Sequence, residues 1–108
     1  MPVLHMAMFK WRPEVTQEQV AILCADLATM PDIIGGVRSY RFGPDLGLRE
    51  GNLDFGVAAE LESAGDVDRY LDHPAHQRLV ERRIVGMAAA RRAVQINLDP
   101  GPDQEPHT

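Results

Sequence analysis

The chain of 108 residues contains one cysteine, few basic residues and no long apolar run. A single cysteine cannot form an intrachain disulfide, so the fold does not require an oxidising compartment. The 11 Lys and Arg residues are outnumbered by 16 Asp and Glu residues, and a net charge of −5 leaves no basic stripe for nucleic-acid phosphates. No segment approaches the ~18 apolar residues of a membrane span or has the pattern of a secretory leader. We therefore expect a cytoplasmic protein with no nucleic-acid partner and no membrane partner.

The composition that remains is that of an ordinary globular domain, with 44% hydrophobic and 25% charged residues. A chain of this length buries enough surface for one core without disulfides or structural metals. The last ten residues hold three prolines, one glycine and almost nothing apolar. We therefore predict one domain over residues 1–98 and a disordered tail over 99–108, in which His107 is incidental.

The hydrophobic pattern predicts two helical regions and four strands in the order βαββαβ. A capping box at Thr16 and Gln19 begins the first helix, which Pro31 is expected to end. Pro74 divides the second helical region because proline favours the first position of a helix. The predicted strands cover residues 3–11, 37–43, 53–61 and 92–98. A local basic cluster is interpreted as a solvated helix end; it comprises Arg82, Arg83, Arg91 and Arg92.

This order predicts an α+β protein with the ferredoxin-like fold, a four-stranded antiparallel sheet with helices on one face. Strand one is apolar on both sides, with Ala7 and Phe9 on one face and Leu4, Met6 and Met8 on the other. Helices cover only one face, so the second apolar face needs another cover. We expect a homodimer in which two copies of the sheet face each other across a two-fold axis around a shared interior.

Three of the four histidines lie in patterned surroundings. His5 interrupts the apolar first strand, where an unpaired imidazole would be costly. His76 lies in the first turn after Pro74, where the helix dipole disfavours the imidazolium and favours a neutral base near pH 7. His73 is interpreted as a capping residue. His73 and His76 have no certain third ligand, so the sequence predicts no metal site and no cofactor.

Several segments together resemble the stress-responsive dimeric α/β-barrel domain family. These are Leu4-His5-Met6-Ala7-Met8-Phe9-Lys10-Trp11, Pro31-Asp32-Ile33, Gly43 at the end of strand two, and Tyr70-Leu71-Asp72-His73-Pro74-Ala75-His76. The resemblance covers about residues 2–98 and implies pairing into a dimeric α/β barrel. Most members of the family are uncharacterised, but a plant polyketide cyclase and a fern hydroxynitrile lyase are enzymes.

The resemblance to the cyclase implies a catalytic site made of His5, Tyr70 and His76. His76 corresponds to the general base, and Tyr70 to the hydroxyl that assists it. The first hypothesis is therefore a cofactor-free enzyme that acts on a small hydrophobic carbonyl compound in the barrel interior. A pocket of ~300 Å³ or more near His76 would favour this hypothesis.

Two alternatives remain open at this point. The protein is either a non-catalytic dimer, which binds a hydrophobic ligand or serves in the stress response, or a relative of cofactor-independent monooxygenases with a similar barrel. A non-catalytic dimer predicts a pocket too small or too closed to take a substrate, or a filled interior, with His5 hydrogen-bonded to the backbone. A monooxygenase would give Trp11 a place in the pocket, although Trp11 suits the dimer interface equally well.

Overall fold

A computed structural model describes residues 1–98 of the chain, and the predicted tail over 99–108 lies outside the described residues. The elements are β1 (Val3–Trp11), α1 (Gln17–Ala28), α2 (Met30–Ile33), β2 (Val37–Pro44), β3 (Phe55–Leu61), α3 (Gly65–Leu71), α4 (Pro74–Leu79), a π-helical turn (Val80–Ile84), α5 (Val85–Met87) and β4 (Ala88–Asn97).

The four strands form one antiparallel sheet in the order β2-β3-β1-β4. Strand β1 is one of the two inner strands and pairs with β3 on one side and with β4 on the other. The helices pack on one face of this sheet, and the ferredoxin-like βαββαβ prediction is confirmed. Because β4 is an edge strand, its helix-facing side chains are only partly covered.

The core lies between the helices and one face of the sheet. Burial alternates along β3, where every second residue from Phe55 to Leu61 is buried, as expected for a strand with one covered face. Helix α1 contributes the fully buried Leu23 and Leu27. Its N-terminus carries the predicted capping box, in which the Gln19 amide N–H donates to the Thr16 hydroxyl and the Gln19 side chain accepts from the Thr16 N–H.

Several boundaries differ from the sequence-based prediction; β3, for example, begins at Phe55 rather than at residue 53. Helix α1 ends at Ala28, and Pro31 lies within the short helix α2, since a proline in the first turn of a helix needs no N–H partner. Strand β4 begins at Ala88 rather than at Arg92. Arg92 lies in the strand, as the predicted range 92–98 has it, and Arg91 belongs to the strand as well, so the interpretation of these two residues as part of a solvated helix end is wrong.

The face of the sheet that the helices leave uncovered has an apolar area along β1 and the adjoining part of β4. Met6 lies opposite Ala58 on β3 and opposite Val94 on β4, and Leu4 lies opposite Ile96. Val94 and Ile96 are 45% and 46% exposed. The predicted two-sided apolar character of β1 is therefore present in the fold, and one side of it meets no element of the same chain within the described residues.

Candidate functional site

One cavity brings together the three residues that the sequence singled out. His5 reaches it from β1, Tyr70 from α3 and His76 from α4. Its walls are otherwise mostly apolar, and the π-helical turn contributes Val80 and Ile84. The cavity lies between the sheet and the helices of one chain. This is the helix-covered face of β1, which His5 shares with Ala7 and Phe9.

The interruption of the helical region between α3 and α4 sets the position of His76. His73 caps this helix, as predicted, because its Nδ1 accepts a hydrogen bond from the Ala75 amide at 3.1 Å. The Nδ1 of His76 lies 3.2 Å from the carbonyl oxygen of Leu71. A carbonyl only accepts, so Nδ1 carries the proton of the neutral ring and Nε2 keeps its lone pair. His76 is thus held in the tautomer that a general base needs at Nε2.

Burial is the main cause of the lowered pKa of His76. The hydrogen bond to the Leu71 carbonyl and the charge of Asp72 raise this pKa, whereas the charges of Arg91 and His73 lower it further. The sequence had attributed a neutral His76 to the helix dipole, but the dominant effect in the structure is the loss of water around the ring. The ring is therefore unprotonated at neutral pH.

His5 is 2% exposed and has a polar partner on the neighbouring strand. Gln95 lies directly opposite on β4, and its amide nitrogen is 2.8 Å from Nδ1 of His5. The amide N–H donates to Nδ1, so the proton of the neutral imidazole is on Nε2. Burial lowers the pKa of His5, and the charges of Arg91 and His76 add to this effect. His5 therefore offers an N–H donor, whereas His76 offers an acceptor.

The Tyr70 ring packs near both imidazole rings, and its hydroxyl group contacts the hydroxyl group of Tyr40. Its ring centroid lies 4.5 Å from that of His76 and 6.0 Å from that of His5. Its hydroxyl oxygen lies 2.6 Å from the hydroxyl oxygen of Tyr40, a residue of β2. Burial raises the pKa of Tyr70 above its ordinary value and that of Tyr40 to about 12. Both phenols are therefore protonated at neutral pH and act as hydrogen-bond donors or acceptors, not as phenolate bases.

Sequence reasoning missed three residues around this cavity: Tyr40, Gln95 and Arg91. Tyr40 and Gln95 were assigned to strands, but only the register shows that they meet Tyr70 and His5. Arg91 lies opposite Phe9 on the helix-facing side of β4 and lines the cavity. Arg91 could have been found by extending the last predicted strand to residues before 92. It was missed because the arginines were interpreted together as a helix end.

The cavity has a volume of about 60 Å³. It is smaller than the ~300 Å³ that would favour an enzyme, and a small pocket is what the non-catalytic alternative predicts. His5 differs from that alternative, because its partner is a side chain rather than the backbone. Trp11 lies outside the cavity lining and stacks on Phe9 with ring centroids 5.6 Å apart.

Two further observations concern the part of the chain that the structure describes. It contains no cluster of three or more His, Cys, Asp or Glu side chains arranged to hold a metal ion. No helix within residues 1–98 has the length and apolar character needed to cross a membrane.

Solved structures with a similar fold come from bacteria and plants. A dimeric ferredoxin-like protein of unknown function from Thermobifida fusca is 40% identical, with a TM-score of 0.83 over 91% of this chain and 92% of that one. A dabb family protein with a ferredoxin-like fold from Mesorhizobium loti is 19% identical, with a TM-score of 0.73 over 89% and 95%. The hydroxynitrile lyase from Passiflora edulis is 16% identical, with a TM-score of 0.77 over 93% and 97%, and at this identity shows the shared fold alone.

No curated protein matches the chain in sequence. The model of the stress responsive A/B barrel domain family matches residues 3–98, nearly the whole of the described chain. The fold, the order of its strands and this match lead to one conclusion: the chain belongs to the stress responsive A/B barrel domain family.

Proposed function

We propose that the protein is a cofactor-free enzyme of the cyclase or lyase type that acts on a small hydrophobic carbonyl compound. His76 is its general base, and Tyr70 and His5 assist. The observation that carries this proposal is the hydrogen bond from His76 Nδ1 to the Leu71 carbonyl, which leaves Nε2 free to accept a proton. The base shares an apolar cavity with a protonated phenol and a second neutral imidazole.

The reaction begins with proton transfer from the carbon next to the carbonyl group to Nε2 of His76. The electron pair of the broken C–H bond becomes the enolate, and its negative oxygen needs a hydrogen-bond donor. His5 Nε2–H and the Tyr70 hydroxyl are donors in this cavity that can supply it. The enolate carbon then attacks a second carbonyl in the cyclase type, and the imidazolium returns its proton to the new alkoxide. The lyase type runs these steps in reverse: His76 removes the proton of a β-hydroxyl group, the carbon–carbon bond breaks to give a carbonyl compound and an enolate, and the imidazolium returns the proton to the enolate carbon.

The working form is a homodimer in this proposal. Its support is the uncovered apolar face around Met6, Val94 and Ile96, which a second copy would remove from water. The related protein from Thermobifida fusca, which is 40% identical, is described as dimeric. Because the cavity lies on the opposite face of the sheet, each chain would carry its own site.

A second candidate is a non-catalytic dimer that binds a small hydrophobic ligand. The volume of about 60 Å³ favours it, because this cavity is well below the size of most enzyme pockets. The same volume restricts the enzymatic proposal to substrates of a few non-hydrogen atoms. The two candidates differ in whether bound carbonyl compounds lose a proton.

Exchange of carbon-bound protons in D₂O tests the proposal directly. Acetone, butan-2-one and propanal are incubated with the protein, and loss of the proton signals next to the carbonyl is followed by NMR. We expect exchange above the buffer rate for at least one compound and a decrease of about 10²- to 10⁴-fold in His76→Gln. His73→Gln is the matched control, because His73 caps the same helix and does not line the cavity. Exchange that is absent, or unchanged in His76→Gln, contradicts the assignment.

A further inference from the structure

Arg91 places a positive charge at a cavity whose other polar groups are neutral. It lies opposite Phe9 on β4, on the same face of the sheet as His5, and lines the cavity together with His5 and His76. Its charge is close enough to lower the pKa of both imidazoles. Although Arg91 is an exposed residue of the edge strand, its charge affects the protonation of His5 and His76 in the proposed site.

This guanidinium has no carboxylate partner in the described part of the chain. The ion pairs there join Lys10 to Asp54, Arg38 to Glu60, Arg69 to Asp66 and Arg83 to Asp26. Asp72 carries a negative charge that raises the pKa of His76, but it does not line the cavity and forms no ion pair with Arg91. A planar guanidinium beside an apolar cavity is suited to a ligand that brings its own carboxylate, because the two groups form paired hydrogen bonds.

We propose that the cavity binds small oxo acids, with the ligand's carboxylate on Arg91 and its carbonyl group among His5, Tyr70 and His76. The substrate-class part of this inference rests on the function proposed above; the carboxylate site itself does not. The volume sets the size of the ligand. At ~10–15 Å³ for each water-sized position, about 60 Å³ holds roughly four to six such positions, which matches a molecule as small as pyruvate.

Arg91 also gives the carboxylate a role in catalysis. With Arg91 unpaired, formation of the imidazolium at His76 is opposed by a neighbouring positive charge. A bound carboxylate reduces that opposition, so the ligand that occupies the site improves its own base. An uncharged ketone lacks this effect, and the site therefore distinguishes an oxo acid from a neutral carbonyl compound of the same size.

The experiment compares pyruvate with its uncharged amide, pyruvamide, by NMR titration of the His5 and His76 ring protons. We expect wild-type protein to bind pyruvate at least about tenfold more tightly than pyruvamide, in line with a charge-assisted paired hydrogen bond. Arg91→Gln should remove this preference. Arg91→Lys, which keeps the charge but not the planar fork, should retain part of it.

Arg92→Gln is the matched control for the loss of one positive charge. Arg92 follows Arg91 directly but lies opposite Met8, on the uncovered face of the sheet, and is not part of the cavity lining. The control should keep the full preference for pyruvate. Three outcomes overturn the inference: equal affinity for pyruvate and pyruvamide, an equal loss in Arg92→Gln and Arg91→Gln, or tighter binding of inorganic phosphate at the same ring protons.

His76→Gln separates this inference from the proposed function. Its pyruvate titration, followed at the His5 ring protons, should keep the preference over pyruvamide while proton exchange is lost. A carboxylate preference without proton exchange in wild-type protein refutes the enzyme and leaves the carboxylate site intact. Exchange of neutral ketones without any preference for pyruvate refutes the carboxylate site and leaves the enzyme intact.

Discussion

Replacement of Tyr40 by phenylalanine isolates the contribution of the hydroxyl pair to stability. Tyr70 is 2% exposed, and its hydroxyl has the Tyr40 hydroxyl as its partner at 2.6 Å. Tyr40→Phe leaves the Tyr70 hydroxyl buried without that partner, which costs about 1–3 kcal/mol of unfolding free energy. For a domain of this size, the melting temperature falls by roughly 4–8 °C for each kcal/mol.

The substitution of the other tyrosine, Tyr70→Phe, should lower the unfolding free energy less through the lost hydroxyl pair. Tyr40 is only partly buried, so in Tyr70→Phe its hydroxyl can turn to water. The double variant removes both hydroxyls, leaves no unsatisfied group, and is expected to be about as stable as Tyr70→Phe alone. Urea unfolding of the four proteins at one protein concentration gives the double-mutant cycle and its coupling energy. The effects of the two single substitutions should therefore not add.

Two results would refute this reasoning. Wild-type stability of Tyr40→Phe would show that water in the cavity satisfies the Tyr70 hydroxyl. Additive losses in the double variant would show that the two side chains contribute through packing and not through their hydroxyl pair. The m-value serves as the control in each case, because an unchanged m-value shows that the surface exposed on unfolding has stayed the same.

Three further predictions concern the imidazoles and the uncovered face. The pKa values of His5 and His76 are lowered from 6.5 in the folded state, so as the pH falls these two residues take up protons at a higher pH in the unfolded chain than in the folded protein. The unfolding free energy should therefore decrease between pH 7.5 and 5.5, with a smaller decrease in His76→Gln, as urea midpoints would show. His73→Ala should lose about 0.5–2 kcal/mol with its cap and keep the wild-type rate of proton exchange, whereas equal stability would argue against the cap. Met6→Glu should weaken the homodimer in sedimentation equilibrium and Ile33→Glu, on helix α2, should not; equal behaviour of the two variants would place the interface elsewhere.

Much of the fold could be read from local signals. The capping box at Thr16 and the alternation along β3 specify their elements within a few neighbouring residues, and both are present in the structure. The boundary of β4 was misjudged because Ala88 to Ala90 carry little periodic signal before the two arginines. Small side chains of this kind fit a helix end or a strand, and pairing with β1 decides between them.

The candidate site shows the same division. His5 and His76 were singled out because a polar ring in apolar surroundings is visible in sequence, and the cavity does bring them together. Tyr40 and Gln95 were not singled out. Tyr40 is 30 residues from Tyr70 and Gln95 is 90 residues from His5, and such separations give no indication of contact. The position of Arg91 depends likewise on the register of an edge strand.

The sequence alone determined the order of elements, the helix start at Pro74 and the unusual placing of His5 and His76, because these depend on local backbone preferences and on periodicity. Only the tertiary structure decided which face of the sheet holds the cavity, how small it is, and which nitrogen of each imidazole carries the proton. These properties arise from contacts between residues distant in the chain, such as the pairing of β1 with β4 that sets Gln95 against His5 and Arg91 beside the same cavity.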